Sequence, residues 1–304
     1  MRKPYYKTGY GEAYLSDCID IMKGLRGGSV DLVITSPPFA LRRKKAYGNV
    51  RPEEYIEWFW PYAEEIYRIL KPTGSFVLDI GGSWNKGVPT RNLYHFELLL
   101  RLCEPNGPYK LAQEFYWYNP AKLPSPAQWV TVERIRVKDA VNPIWWLAKS
   151  TKTKASNRRV LKPYTKSMEN LFVKGYNAGT RPSGHVISNK WGKRHDGAIP
   201  SNLIISANTR SNDAYIKACK KYNLEINPAR FVEAVPEFFI KFLSKPNGLI
   251  LDPFSGSNVV GGIAERLKRK WISIEIKEQY VVGSAFRFDG LGEKVLGKYL
   301  IDHS

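Results

Sequence analysis

The 304-residue sequence contains little of what secreted or metal-binding proteins use to stabilise a fold. It has three cysteines, Cys18, Cys103 and Cys219, which form no C-x-x-C pair, and only four histidines. This number and spacing argue against a disulfide framework, and we expect no metal site. Residues 1–10 lack the apolar core of a signal peptide, and no run approaches the roughly 18 apolar residues that span a bilayer. We therefore expect a soluble, unsecreted chain with no membrane partner.

Acidic residues are also scarce. The 47 Lys and Arg outnumber the 28 Asp and Glu, which gives a formal net charge of +19. Residues 151–230 alone hold 16 basic and 4 acidic residues, a net charge of +12. Apolar residues interleaved in this segment, such as Leu171, Phe172 and Ile204, favour a folded insert over a solvated linker. A folded segment with this charge is expected to bind a polyanion, most simply a nucleic acid.

A strand pattern on the amino-terminal side of this segment ends in an unusual loop. The apolar residues Val30, Leu32, Val33 and Ile34 predict a short strand that leads into Thr35-Ser36-Pro37-Pro38-Phe39. The two prolines remove backbone donors and keep the loop extended. Open α/β sheets place their ligands at the carboxyl ends of strands. An ordinary proline turn would have the same sequence, so this loop needs a second signal before it indicates a function.

That second signal lies on the carboxyl-terminal side. Residues 248–252 predict a buried strand, residues 253–257 a tight turn containing Gly256, residues 258–269 a helix, and residues 270–275 a strand ending in Glu275. In such a βαβ unit the terminal acid typically binds the ribose hydroxyls of a nucleoside. The unit lacks the Gly-x-Gly-x-x-Gly fingerprint and a Walker lysine, which disfavours a dinucleotide or a nucleoside triphosphate.

Together the two loops resemble those of β-group DNA amino-methyltransferases. Ser36-Pro37-Pro38-Phe39 resembles the family's (Asp/Asn/Ser)-Pro-Pro-(Tyr/Phe/Trp) catalytic tetrapeptide, in which serine is typical of cytosine-N4 enzymes. Residues 252–258 resemble the family's S-adenosylmethionine motif. The catalytic loop precedes the cofactor loop, as in the permuted β arrangement. Residues 36–45 and 136–142 look specifically like the PvuII-type cytosine-N4 enzymes, and the resemblance covers about residues 10–288.

The resemblance implies an α/β fold, a Rossmann-like class I methyltransferase core with a mostly parallel twisted sheet and an inserted target-recognition region. We expect residues 1–150 to form the catalytic part and residues 151–226 the basic recognition region. Residues 227–288 are expected to bind S-adenosylmethionine, and residues 289–304 form an appendage. The enzyme would be the cytoplasmic modification methyltransferase of a prokaryotic restriction-modification system.

The resemblance also assigns roles to individual residues. Catalysis is expected from Ser36, Pro37, Pro38 and Phe39, with Ser36 Oγ and the Pro37 carbonyl accepting hydrogen bonds from an exocyclic cytosine amine that attacks the methyl group directly. The base must be flipped out of the duplex, and Phe39 is the expected stacking partner. The residues expected to bind S-adenosylmethionine are Asp17, Thr35, Phe231, Asp252, Pro253, Phe254, Gly256, Ser257, Asn258 and Glu275. The residues expected to contact DNA are Arg42, Arg43, Lys44, Lys45, Tyr118, Arg181, Lys190, Lys193 and Arg194.

Several alternatives remain open at this point. Adenine-N6 methylation shares the cofactor chemistry, because Ser36 only favours cytosine. Methylation of RNA is another alternative, and a DNA-binding protein with a decayed methyltransferase site belongs to a different class. The resemblance makes CAGCTG a candidate recognition sequence. We expect a monomer on double-stranded DNA, with a cognate endonuclease that acts on the same site without direct binding.

Overall fold

The computed structural model describes residues 2–40, 50–175, 178–188, 192–209 and 213–303. By its internal contacts the chain divides into two units, one formed by Met1–Lys154 with Asn202–Ser304 and the other by Ala155–Ser201. Within the described ranges, no helix combines the length and apolarity needed to cross a membrane. The assignment of residues 151–226 to target recognition, like the other predicted boundaries, stays a prediction.

Buried apolar runs build one nine-stranded sheet in the larger unit. The strands are β1 (Tyr6–Lys7), β2 (Gly11–Leu15), β3 (Val30–Thr35), β4 (Leu70–Asp79), β7 (Lys110–Tyr118), β8 (Val141–Ala148), β11 (Leu203–Ile205), β12 (Leu249–Asp252) and β13 (Lys270–Glu275). A separate hairpin pairs β5 (Ser83–Trp84) with β6 (Arg91–Asn92). The larger unit also contains the helices α1 (Cys18–Lys23), α2 (Tyr55–Ile69), α3 (Tyr94–Cys103), α5 (Ala214–Lys221), α6 (Ala234–Leu243), α7 (Val259–Arg266), α8 (Glu278–Ser284) and α9 (Gly292–Asp302).

The order of the strands in the sheet is β1-β2-β13-β12-β3-β4-β8-β7-β11. The five strands from β2 to β4 are parallel, β8 runs antiparallel to β4 and β7, and β11 is parallel to β7. The expected α/β fold with a mostly parallel sheet is therefore confirmed. At the boundary between β3 and β12, the chain passes outward from β3 to β4 on one side and from β12 to β13 on the other. This boundary is therefore the switch point where α/β sheets open a crevice for ligands.

The helices α1, α2 and α3 pack on one face of the sheet. Their apolar side chains share a core cluster with alternate residues of β4, such as Phe76 and Leu78. Helix α2 runs unbroken through Pro61. Pro61 is exposed, so the missing backbone hydrogen bond lies at the solvent and the buried face that includes Phe59 and Ala63 is unaffected.

The smaller unit, Ala155–Ser201, contains α4 (Lys166–Lys174) and a two-stranded hairpin of β9 (Gly179–Thr180) and β10 (Val186–Ile187). Thr165 caps α4 by accepting a hydrogen bond from the backbone of Met168. An isolated bridge between Lys162 and Ala198 brings the two ends of the unit together. Residues 155–201 therefore form a compact unit with secondary structure of its own.

Candidate active site

The two loops singled out in the sequence meet at the switch point of the sheet. The first follows Thr35 at the end of β3, and the second follows Asp252 at the end of β12. Thr35 Oγ1 donates a hydrogen bond of 2.7 Å to Asp252 Oδ1, which also accepts one of 3.1 Å from the backbone of Phe254. Burial raises the pKa of Asp252 to about 7, and the two hydrogen bonds work against that rise. Both residues are buried beneath the site and connect the two loops.

A cavity of about 240 Å³ opens above this junction. Its walls come from the carboxyl ends of four parallel strands and from α1 and α2. Nine of the residues singled out in the sequence line it: Asp17, Ser36, Pro37, Pro38, Phe39, Pro253, Phe254, Gly256 and Glu275. Phe231 lines a small adjoining cavity that Ser36 and Gly256 also border. The structure thus brings the predicted catalytic and cofactor residues to one place.

A carboxylate that the sequence did not indicate lies beside Ser36. Asp79 ends β4, the strand that pairs with β3, and its interaction with the Ser36 side chain lowers the pKa of its carboxyl group. Asn142 Nδ2, at the start of β8, lies 3.4 Å from Asp79 Oδ1. Burial raises the pKa of Asp79 to about 7, whereas the hydrogen bonds and the charge of Lys122 lower it. Asp79 therefore titrates near neutrality in contact with the serine of the predicted catalytic loop.

Hydrogen bonds with two tyrosines and packing against Gly81 hold the rest of the proline loop. Tyr55 Oη donates a hydrogen bond of 3.0 Å to the Pro38 carbonyl. Tyr94 accepts one of 3.4 Å from the Ala40 backbone and donates to the Gly81 carbonyl. The Phe39 ring packs so closely on Gly81 that a Cβ there would overlap it. These contacts hold a loop that, because of its prolines, has few donors of its own.

The loop that follows Asp252, residues 253–257, needs glycine at its turn. Gly256 has φ +50°, and a Cβ there would overlap the amide nitrogen of Asn227. Asn258 also has positive φ, and asparagine is among the residues that best tolerate that conformation. Its Oδ1 caps α7 at Gly261 and its Nδ2 donates to Tyr6. The buried Asn258 side chain is therefore hydrogen-bonded to other residues of the protein in the described structure.

Ser257 is buried beside Asn258, and Arg287 is hydrogen-bonded to its backbone. The guanidinium of Arg287 donates a hydrogen bond of 2.5 Å to the Ser257 carbonyl and pairs with Asp213 at 3.0 Å. Roles for Ser257 and Asn258 in cofactor binding stay predictions.

Glu275 faces the cavity with its carboxylate already oriented. Oε2 accepts a hydrogen bond of 2.8 Å from Gly256 N, and Oε1 accepts bonds of 2.9 Å from the backbone of Ile276 and Lys277. Burial raises its pKa and these three bonds lower it. Asp17, at the end of β2, caps α1 through Ile19 and also lines the cavity. The two acids are placed to accept hydrogen bonds from hydroxyl or amine donors of a nucleoside.

One wall of the cavity is aromatic. Trp58 and Tyr62 lie one turn apart on α2, and their ring centroids are 6.0 and 5.1 Å from that of Phe254. The site residues expected from the sequence do not include these two rings. The spacing of four residues places them on one helical face, which is the only sequence signal that they belong together.

Five of the nine residues expected to contact DNA fall outside the described residues, namely Arg42, Arg43, Lys44, Lys45 and Lys190. Tyr118 is half-buried at the carboxyl end of β7, on the same sheet edge as the cavity.

Three others, Arg181, Lys193 and Arg194, belong to the smaller unit. Arg194 forms two hydrogen bonds of 2.8 Å with Glu169 and lies over the ring of Phe172. Lys193 is exposed. Their roles stay predictions.

Comparisons with known proteins agree with this geometry. The family model described as DNA methylase matches residues 30–285. The chain is 47% identical over 290 residues to type II methyltransferase M.PvuII of Proteus hauseri, an alignment that covers 94% of this chain and 86% of that protein. It also superposes on the solved PvuII DNA methyltransferase (cytosine-N4-specific) with TM-score 0.79 and 42% identity, covering 98% and 94% of the two chains. A modification methylase of Thermus thermophilus solved with S-adenosylmethionine is 16% identical with TM-score 0.56, covers 93% of this chain and 96% of that chain, and shows the fold alone.

Proposed function

Because the chain belongs to the DNA methylase family, we propose that it transfers a methyl group from S-adenosylmethionine to the exocyclic N4 of cytosine in duplex DNA. The observation that carries this proposal is the placement of the Asp79 carboxylate beside Ser36, at the ends of two paired strands, in a chain 47% identical to M.PvuII. The solved relative at 42% identity is named as cytosine-N4-specific, which favours cytosine over adenine.

The residues around Ser36 account for activation of the amine. A hydroxyl has one proton to donate and two lone pairs that accept. If Ser36 directs its hydroxyl proton toward the Asp79 carboxylate as a hydrogen-bond donor, both lone pairs of Oγ remain free for the N–H of an exocyclic amine. The Pro37 carbonyl, on the same loop, is a second acceptor. Hydrogen bonds to both acceptors favour a pyramidal nitrogen, whose lone pair is then less delocalised into the base.

Asp79 is the proposed final acceptor of the proton that the amine loses. Asp79 has a pKa of about 7, which suits a group that accepts a proton at neutral pH. In the proposed reaction the amine proton passes to Ser36 Oγ while the serine proton passes to Asp79. No covalent bond to the enzyme is needed, and none of the three cysteines takes part.

The second loop and its neighbours fit S-adenosylmethionine. Gly256 leaves the backbone open at the turn, Glu275 offers a fixed carboxylate for ribose hydroxyls, and Asp17 faces the same cavity. Phe254, with Trp58 and Tyr62, offers aromatic surface for the adenine ring. When bound, S-adenosylmethionine supplies an electrophilic methyl group on a sulfonium centre. The hydrogen bond between Thr35 and Asp252 keeps the loop at residues 253–257 beside Ser36.

The substrate must reach this cavity as a single exposed base, because a cytosine stacked in a duplex cannot enter it. Phe39 borders the cavity beside Ser36 and is the proposed stacking partner of the flipped cytosine. The net charge of +12 on residues 151–230 supports phosphate binding by the recognition region. We also propose that the enzyme acts as a cytoplasmic monomer, in a restriction-modification pair whose endonuclease cuts the same site.

Nucleoside analysis tests the chemistry. A duplex containing CAGCTG is incubated with the protein and S-adenosylmethionine, digested to nucleosides and examined by mass spectrometry. We expect N4-methylcytosine, and sequencing of the methylated positions then defines the site. N6-methyladenine without N4-methylcytosine would overturn the proposal, and failure to bind S-adenosylmethionine in calorimetry would favour a decayed site.

A further inference from the structure

A long connection without strands leaves the sheet beside the active site. Residues 119–140 join β7 to β8 at the edge where Asp79 and Asn142 lie. The only regular element that the structure describes in it is a five-residue helical segment, Gln128–Val132. Connections of more than about 12–15 residues with so little secondary structure are uncommon in compact domains and usually carry a function. The proposed reaction assigns this segment no role.

The loop is ordered by its own hydrogen bonds. Asn119 N donates to the Ala140 carbonyl at 2.9 Å, and Asp139 N donates to the Ser125 carbonyl at 3.1 Å. Lys138 Nζ lies 3.2 Å from the Pro120 carbonyl, and Arg136 donates to the Pro89 carbonyl at 2.8 Å. These bonds pin both limbs of the loop to each other and to its surroundings.

Apolar side chains nevertheless point outward from this ordered loop. Val137 is 87% exposed and Leu123 is 78% exposed, and Val132 and Ile135 are also exposed. A loop that is held by hydrogen bonds does not need these side chains for its own fold. Apolar surface gathered at an active-site edge is typical of a contact with a partner.

The charge of the loop indicates which partner it fits. Residues 119–140 contain four basic and two acidic residues. Lys138 and Arg136 are used to fix the loop, whereas Lys122 is exposed and acts electrostatically on Asp79. Apolar side chains in a basic setting match duplex DNA, whose phosphates attract the cations while the base stack receives the apolar groups.

We propose that the 119–140 loop is a DNA wedge, which presses Leu123 and Val137 into the base stack next to the flipped cytosine. This inference rests on the proposed function and deepens it. A base that leaves the duplex opens a gap, and apolar side chains that fill the gap offset the lost stacking. The loop lies at the active-site edge, where such a gap would form.

The test compares two duplexes that differ only at the target. In one, the methylated cytosine is paired with guanine; in the other, it faces an abasic site and is already unpaired. The variants are L123A, V137A and the double variant, and the control is L300A, which removes an exposed leucine from α9. The kinetic constant is kcat/KM for methyl transfer to each duplex.

We expect the double variant to lose about tenfold or more in kcat/KM on the paired duplex, the order expected when buried apolar side chains are removed. On the abasic duplex it should lie within about threefold of the parent protein, since the cost of opening the pair is gone. L300A should match the parent on both.

Three outcomes would overturn the proposal. An equal loss on both duplexes would mean that the loop has a structural or general binding role. No loss on either would mean that the apolar patch faces something other than DNA, such as another protein. If the thermal unfolding midpoint of the double variant falls and kcat/KM falls with it, these side chains serve stability. The same two quantities are measured for L123A and V137A, to check whether loss of kcat/KM follows loss of stability in each. If the parent methylates no cytosine in either duplex, the proposed function itself is wrong.

Discussion

Asp79→Asn is the substitution that most directly tests the role of the carboxylate beside Ser36. Asp79 has a pKa of about 7 because it is buried. A carboxyl with that pKa is about 90% ionised at pH 8 and about 10% ionised at pH 6. Only the ionised form accepts the Ser36 proton and leaves the serine lone pairs to the amine. The turnover number at saturating substrates should therefore fall about tenfold from pH 8 to pH 6.

The asparagine side chain keeps an acceptor oxygen but has no charge to titrate. We expect Asp79→Asn to lower turnover at pH 8 by about 100-fold or more, the usual contribution of a positioned acid or base. We also expect the fall between pH 8 and pH 6 to disappear. The measurement is single-turnover methyl transfer across this pH range with saturating DNA and S-adenosylmethionine.

Asp252→Asn is the matched control. Asp252 is also buried with a pKa of about 7, but it accepts its hydrogen bonds from Thr35 and Phe254 rather than from Ser36. Both bonds end on Oδ1, which asparagine retains. This variant should keep the fall in turnover at low pH, whatever its effect on cofactor affinity. The reasoning is refuted if Asp79→Asn retains the pH dependence, or if Asp252→Asn abolishes it.

Three further predictions concern the loops and the basic insert. Gly256→Ala should weaken S-adenosylmethionine binding about tenfold or more in calorimetry, because its Cβ would overlap Asn227, whereas Gly290→Ala, with similar positive φ but open space, should leave that affinity unchanged. Tyr55→Phe and Tyr109→Phe each remove a hydrogen bond to a backbone carbonyl and should each lower the free energy of unfolding by about 1 kcal/mol, but only Tyr55→Phe, which frees the Pro38 carbonyl, should slow methyl transfer. Lys193→Ala should reduce the slope of log affinity for DNA against log salt by about 1 without changing S-adenosylmethionine affinity. Equal kinetics of the two tyrosine variants, or an unchanged salt slope, would contradict the corresponding assignment.

The strands that carry the site could be predicted because each is a short, mostly apolar segment with an abrupt end. The sequence places the last strand at residues 270–275, as observed for β13, and the first at residues 30–34, one residue short of β3. The glycine turn and Glu275 follow from the same βαβ pattern. Local sequence determines these features because a buried strand and a tight turn each depend on a few adjacent residues.

The partners of Ser36 could not be predicted in the same way. Asp79 contacts Ser36 because β3 pairs with β4 in a register that sets Thr35 opposite Leu78. That register is a property of the sheet, and neither strand's sequence displays it. Trp58 was missed for a related reason: helical spacing identifies a buried face of α2 but does not say that one end of that face overlies the cavity.

The central claim is that methyl transfer takes place at Ser36, and Ser36→Ala tests it most directly. The substitution removes the Oγ acceptor while the Pro37 carbonyl and the bonds between Thr35 and Asp252 stay in place. The decisive measurement is the single-turnover rate of N4-methylcytosine formation, with S-adenosylmethionine and DNA affinities measured on the same preparation. We expect affinities within about twofold of the parent and a rate lowered by about 100-fold or more. An unchanged rate would contradict it.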